Sequence, residues 1–163
     1  MMQRAQTDML GRSRQSGVGL IEVLIAVLVL SIGFLGIAAL QARSLSMNNS
    51  SMARSMATID SYSILDAMRA DLTNAQSGTY NTATPLAANA CPTTTDTLAH
   101  TQLTQWCNQL AAGLGASAST TGNINCTGTL GICTVTVTYD DSKSRSSAAD
   151  TTTMQTVTTQ AML

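Results

Sequence analysis

The sequence predicts an α+β chain: a long N-terminal α-helix, with a membrane-spanning half and an amphipathic half, packed on a small C-terminal antiparallel β-sheet head that also holds a short second helix and two disulfides. Three observations predict it. No residue from Val23 to Gln41 is ionisable, and neither glycine nor proline occurs from Ile37 to Ser77. The segment ICTVTVTY at Ile132 to Tyr139 alternates strictly, and all four cysteines lie in the second half of the chain.

The helix is preceded by a basic leader. Residues 1–17 hold Arg4, Arg12 and Arg14 against Asp8, a net of +2, whereas residues 18–163 hold five basic and eight acidic residues, a net of −3. Positive charge before an apolar run holds that flank in the cytoplasm and sends the rest across the membrane. The run from Val18 to Leu40 is 23 residues, about 35 Å as a helix, which spans a hydrocarbon core. It is too long for the apolar core of a cleaved secretory signal, roughly 7 to 15 residues, and the cleavage pattern near Leu40 and Ala42 is poor. Glu22 lies inside this run. A carboxylate there costs roughly 2.5 to 3.5 kcal/mol and marks a functional site whose partner has to be named.

Beyond the membrane half, Leu45, Met52, Met56, Ile59, Tyr62, Leu65, Met68 and Leu72 recur at steps of three, four or seven, one stripe of a helix. Arg54, Asp60, Ser61 and Asp71 fall on the opposite face. With Gly78 as a stop signal, residues 19–75 form one helix of about 85 Å. Gly33 and Gly36 have two readings: points of local helix melting, since each lowers helix propensity by up to about 1 kcal/mol, or sites of close helix packing. The methionines of the stripe read as ordinary packing.

Residues 78–95 form a loop with both prolines, Pro85 and Pro92. Ala99, Leu103, Trp106, Leu110 and Leu114 then repeat at helical spacing between a cap at Thr95 or Asp96 and a stop at Gly113 or Gly115. Trp106, the only tryptophan, is read as the anchor of the head's core. In the strand at 132–139, Cys133, Val135, Val137 and Tyr139 share one face and three threonines the other. Asp140 to Asp150 is a polar turn leading to a second strand at Met154 to Leu163, and Asn123 to Thr127 is a weaker strand. The threonine face is expected to meet water.

Cys91, Cys107, Cys126 and Cys133 are separated by 15, 18 and 6 residues. An even number in an exported head predicts two disulfides. Sequence allows three pairings; Cys91 with Cys107 and Cys126 with Cys133 closes two short loops and is preferred. With no C-x-x-C pair and His100 the only histidine, zinc and thioredoxin-like readings lack their ligands. No metal, cofactor or catalytic constellation is expected. His100 reads as an exposed helix residue without a partner, and Asp140 and Asp141, beside Lys143 and Arg145, as a solvated turn rather than a calcium site. The scattered basic residues and an aromatic content of 3% argue against direct nucleic-acid binding.

The segment GVGLIEVLIAVLVLSIGFLG resembles the signal and N-terminal helix of type IV pilins and pseudopilins. The continuation SIGFLGIAALQARSLSMNNSS and the later ICTVTVTYDD are similar to PilV-type minor pilins, also described as type IV pilus modification proteins. The resemblance implies that a prepilin peptidase cuts after Gly17 and methylates Val18, the new N-terminus. It further implies that Glu22, fifth in the mature chain, pairs with the N-terminal amine of an adjacent subunit. Val18 replaces the usual phenylalanine and Gly19 the commoner threonine. The membrane half lacks the proline common in major pilins, which fits a minor pilin and leaves Gly33 and Gly36 to supply flexibility.

The implied organisation is a leader at 1–17, a membrane and filament-core helix half at 18–40, an amphipathic half at 41–75, and a periplasmic head at 76–163. The implied partners are prepilin peptidase, other minor pilins and the major pilin, the inner-membrane assembly platform, and membrane lipid before assembly. The implied location is the bacterial inner membrane, then the extracellular pilus. The alternatives are a minor pseudopilin of a type II secretion system, or a membrane-anchored binding protein that never polymerises. The sequence does not choose among adhesion, motility and DNA uptake.

Overall fold

The computed structural model describes residues 17, 19–127, 131–142 and 153–163. The chain divides into two units, residues 1–41 and 42–163, and helix α1 (Leu20–Ala70) contributes to both. The turn region expected at 140–150 therefore lies largely outside the described residues, including Lys143 and Arg145.

In the first unit, α1 is apolar on every side. It is long and apolar enough to cross a membrane, and none of its most apolar window is buried. Ser31, one of two polar residues between Leu20 and Leu40, donates its hydroxyl to the Val27 carbonyl at 2.7 Å. The helix passes through Gly33 and Gly36 unbroken.

In the second unit, α1 ends at Ala70 rather than running on to residue 75. Asp71 leaves helical geometry at φ −125° and ψ 51°. Its carboxylate accepts from Asn74 Nδ2 at 2.8 and 3.0 Å and from the Tyr80 hydroxyl at 3.0 Å. These bonds tether Asp71 at the junction, where its own carbonyl accepts from the Ala75 backbone N–H at 3.0 Å and starts the next helix. A short helix α2 (Leu72–Gln76) follows, and Gly78, at φ +81°, turns the chain in a region that L side chains disfavour.

The buried face of α1 also differs from the apolar stripe. Ala57, Ser61, Ile64, Leu65 and Met68 are buried and Met56 is half-buried, whereas Leu45, Met52, Ile59, Tyr62 and Leu72 are exposed. Small residues one turn apart, Ala57 and Ser61, occupy the inward face and rotate Ile59 and Tyr62 outward. Burying Ser61 leaves no unmet donor, because its hydroxyl donates to the Ala57 carbonyl at 2.8 Å.

Against this face packs α3 (Leu98–Leu114), whose Ala99, Leu103, Trp106, Cys107 and Leu110 are buried. Its cap is Thr97, one or two residues later than expected: the Thr97 side chain accepts from the His100 backbone N–H at 3.1 Å. Gly115, at φ +102°, ends it. Trp106 is 1% exposed, and Gly122 makes room for it: a Cβ at residue 122 would stand 2.5 Å from Trp106 Cη2.

The sheet is fully antiparallel, in the order β1 (Leu86–Ala87), β2 (Thr121–Thr127), β3 (Ile132–Asp140) and β4 (Met154–Met162). The expected hairpin of the last two strands is present, and β2 begins two residues earlier than its expected start. β1 was hidden in a proline-containing loop and is only two residues long. Cys133, Val135, Val137 and Tyr139 line the buried face of β3, and the threonines between them are half-buried on the other. Disulfides join Cys91 to Cys107 and Cys126 to Cys133; the second links direct cross-strand partners of β2 and β3.

Candidate processing and assembly site

At the N-terminal end the backbone of Gly17 is exposed, and a Cβ there would meet nothing within 4 Å. Val18 lies outside the described residues. Gly19 sits immediately before α1, and its carbonyl accepts from the backbone N–H groups of Glu22 at 2.9 Å and Val23 at 3.3 Å. This places Glu22 in the first helical turn. The unsatisfied N–H groups of that turn carry partial positive charge, which stabilises a nearby carboxylate by about 0.3 to 1 kcal/mol at an exposed site. Position at the helix start thus lowers the cost of the charge, a contribution the apolar pattern did not show.

Glu22 is exposed and lines a shallow apolar notch with Val23, Ala26, Val27 and Leu30. Among the described residues no side chain pairs with its carboxylate. One turn further on, Gly33 opens a second notch with Ala26, Val29, Leu30, Phe34 and Ile37. A Cβ at Gly33 or Gly36 would meet nothing within 4 Å, so neither glycine is required by packing inside this chain.

The head holds its titratable residues in other settings. His100 is not without a partner: from the exposed first turn of α3, its Nδ1 lies 2.5 Å from Oδ1 of Asp96, the residue before the Thr97 cap. That hydrogen bond holds the Asp96 carboxyl below the ordinary range. Asp140 accepts from the Ser142 backbone N–H at 2.9 Å, and Asp141 accepts from the Ser50 hydroxyl at 2.5 Å. Burial raises the pKa of the Tyr139 hydroxyl, with Asp141 adding to the rise and Arg54 opposing it. Among the described residues, no cluster of three or more histidine, cysteine, aspartate or glutamate side chains is placed to hold a metal.

Of the residues expected on the outer face of α1, Ser61 is fully buried and Asp60 half-buried, and Asp60 Oδ2 is buried without a hydrogen-bond partner among the described residues. Burial raises the Asp60 pKa. Ideal helical spacing from Met56 and Ile59 had suggested the opposite face; no motif announces the inward turn.

Residues 12–38 match the family described as the prokaryotic N-terminal methylation motif. The matched stretch includes Gly17, Val18, Glu22, Gly33 and Gly36, and it supports a place in the type IV pilin and pseudopilin superfamily. No curated protein and no solved structure matches the chain.

Proposed function

We propose that this chain, which carries the N-terminal methylation motif, is a prepilin that matures into a minor subunit of a type IV pilus, most like the PilV-type minor pilins. The observation that carries the reading is Glu22. Within the matched stretch it is the only ionisable residue from Val18 to residue 38, and it stands exposed at the helix start with no partner among the described residues.

In this reading the basic leader keeps Gly17 on the cytoplasmic side, where prepilin peptidase cuts after it and methylates the amine of Val18. The new amine supplies the missing cation. A carboxylate removed from water is tolerable when paired with a cation and costly when stranded. Pairing Glu22 with the amine of the adjacent subunit therefore selects one register of helix against helix, more than it adds bulk stability. Gly33 and Gly36 give the helix local freedom during that transfer, and the head faces the periplasm, then the outside, against other minor pilins and the major pilin. Proteins of this motif are structural rather than catalytic in general, and the role proposed here is assembly.

The motif is shared with the pseudopilins, so a minor pseudopilin of a type II secretion system is the second reading. Pilus genes beside this one favour the first, and secretion-machine genes the second. Mass spectrometry of the mature protein tests maturation itself. The expected product begins at Val18, carries one added methyl group and has lost residues 1–17. An intact leader in an organism whose prepilin peptidase is active would refute the reading.

A further inference from the structure

Among the described residues, the sheet seals one of its edges and leaves the other open. At the sealed edge, the outward backbone groups of β2 are met by the loop before α3. Ile124 accepts from Thr82 N at 3.0 Å and donates to Thr82 Oγ1 at 2.9 Å, and Cys126 N donates to Asn81 Oδ1 at 2.6 Å. Just before the strand, the Thr120 carbonyl accepts from Ala88 N at 2.8 Å. The strand that lies there, β1, is two residues long and follows Pro85.

The opposite edge is β4. At its two ends, Thr153 O accepts from Asp141 N at 2.7 Å and Leu163 N donates to Gly131 O at 2.9 Å, with an unbroken register to β3 between them. In an antiparallel pair a residue turns its N–H and C=O to the same side, alternating along the strand. The odd-numbered residues therefore face β3, and Met154, Thr156, Thr158, Gln160 and Met162 turn both backbone groups outward. Among the described residues no hydrogen bond reaches those groups. Exposed edges are normally blunted by charge, proline, bulges or brevity. This one spans nine residues, with no ionisable side chain, no proline and no bulge.

We infer that β4 is a docking edge that accepts one further strand from another protein, an uncharged extended segment in which β-branched apolar residues alternate with threonine or serine. An extended backbone is what its outward donors and acceptors require. On the core side Val157 and Ala161 are half-buried, and apolar residues at every second position would cover their open flanks. On the outer side, hydroxyl pairing is already the habit of this sheet: Thr138 Oγ1 and Thr156 Oγ1 lie 3.2 Å apart, and cross-strand threonine pairs of this kind are favourable. A second copy of β4 is a poorer match, because pairing the whole strand with itself sets Gln155 opposite Ala161 and Thr159 opposite Val157. The sealed β2 edge limits the addition to one side.

Amide exchange followed by NMR on the full chain in detergent tests this, with a capped peptide of alternating threonine and valine as the probe. Without peptide, the amides of Thr156, Thr158 and Gln160 exchange freely while those of Val157, Thr159 and Ala161 are protected. Excess peptide slows the first group at least about tenfold, as new hydrogen bonds require. Thr158→Pro, which removes an outward donor and no inward one, abolishes the slowing at Thr156 and Gln160. Thr158→Lys, which adds only an exposed charge, does the same without backbone strain and serves if the proline variant loses protection at Val157 and Ala161. Outward amides already protected without peptide would mean that the edge is covered, and protection rising with protein concentration would make the partner a second copy. Either result overturns the inference, as does a peptide that slows nothing or slows both variants equally.

Discussion

The indole Nε1–H of Trp106 donates to the backbone carbonyl of Asp60 at 3.0 Å, joining α3 to α1 through a side chain that is otherwise apolar. Trp106→Phe keeps a ring but loses the donor and part of the volume, and is expected to cost about 1 to 3 kcal/mol; Trp106→Ala is expected to cost about 3 to 5 kcal/mol. Urea titration in detergent measures both. A Trp106→Phe loss within about 0.5 kcal/mol, the usual range for surface changes, would remove Trp106 as the anchor of the head.

Gly122 is the other side of the same contact. A Cβ there would lie 2.5 Å from Trp106 Cη2 and 2.7 Å from Leu110 Cδ1. The ring is buried and tethered through its Nε1–H to the Asp60 carbonyl, so it cannot swing away cheaply. Gly122→Ala should therefore destabilise by about 1 to 3 kcal/mol, the cost of overpacking, despite adding a single methyl group to a strand. A neutral result would mean that β2 and α3 separate more easily than their packing indicates.

Asp60 gives the head a pH dependence of definite sign. Burial raises its folded pKa, so the folded state binds this proton more tightly than the unfolded chain. Its contribution favours folding below the ordinary aspartate pKa and is lost as pH rises through the raised value. Asp60→Asn should raise the melting temperature at neutral pH, and the gap to the parent should close on acidification to about pH 4 and below. A gap that stays constant with pH would argue that the carboxylate finds water or a cation when ionised.

The bridge from Cys91 to Cys107 spans 16 positions, and Cys107 is fully buried. Replacing both with alanine should cost roughly 3 kcal/mol in the chain-entropy account, read from the urea midpoint under oxidising conditions. Equal stability with and without the bridge would indicate that the unfolded chain is already restrained near Pro92.

Glu22→Ala should leave cleavage after Gly17 intact yet keep the subunit out of sheared filaments, whereas Gly17→Ala should leave the uncleaved precursor, visible as an unshifted band. The two outcomes separate processing from assembly. Normal recovery of the Glu22→Ala subunit in filaments would end its proposed role.

The elements that could be read in advance were those with a strong period or a hard stop. The alternation of β3 reports a half-buried sheet directly, and Gly115 at positive φ ends α3 where sequence had placed a stop. What could not be read was decided by tertiary contacts. Asp71 leaves helical geometry at a point where Tyr80, nine positions later, and Asn74 both hold its carboxylate, a contact with no signature in the local sequence. Ser61 and Ala57 displace the larger Ile59 and Tyr62 from the inward face because neighbouring elements need the space. β1 was illegible because its two residues pair with β2 only once the chain has turned at Gly78. At the N-terminal site, Glu22 stood out by charge alone, while its place in the first helical turn emerged from the Gly19 carbonyl.

Ser31 returns its hydroxyl to the Val27 carbonyl, and Ser51, Ser55, Thr58 and Ser61 do the same with the carbonyls four residues before them. These hydroxyls are solvated by the helix itself. Between Leu20 and Leu40 the polar side chains are Glu22 and Ser31, so this stretch can exchange one oily environment for another without asking the new surroundings for any hydrogen bond except at one carboxylate. Under the proposed role, passage between lipid and protein is nearly indifferent along the helix and discriminating at a single address, the Glu22 carboxylate.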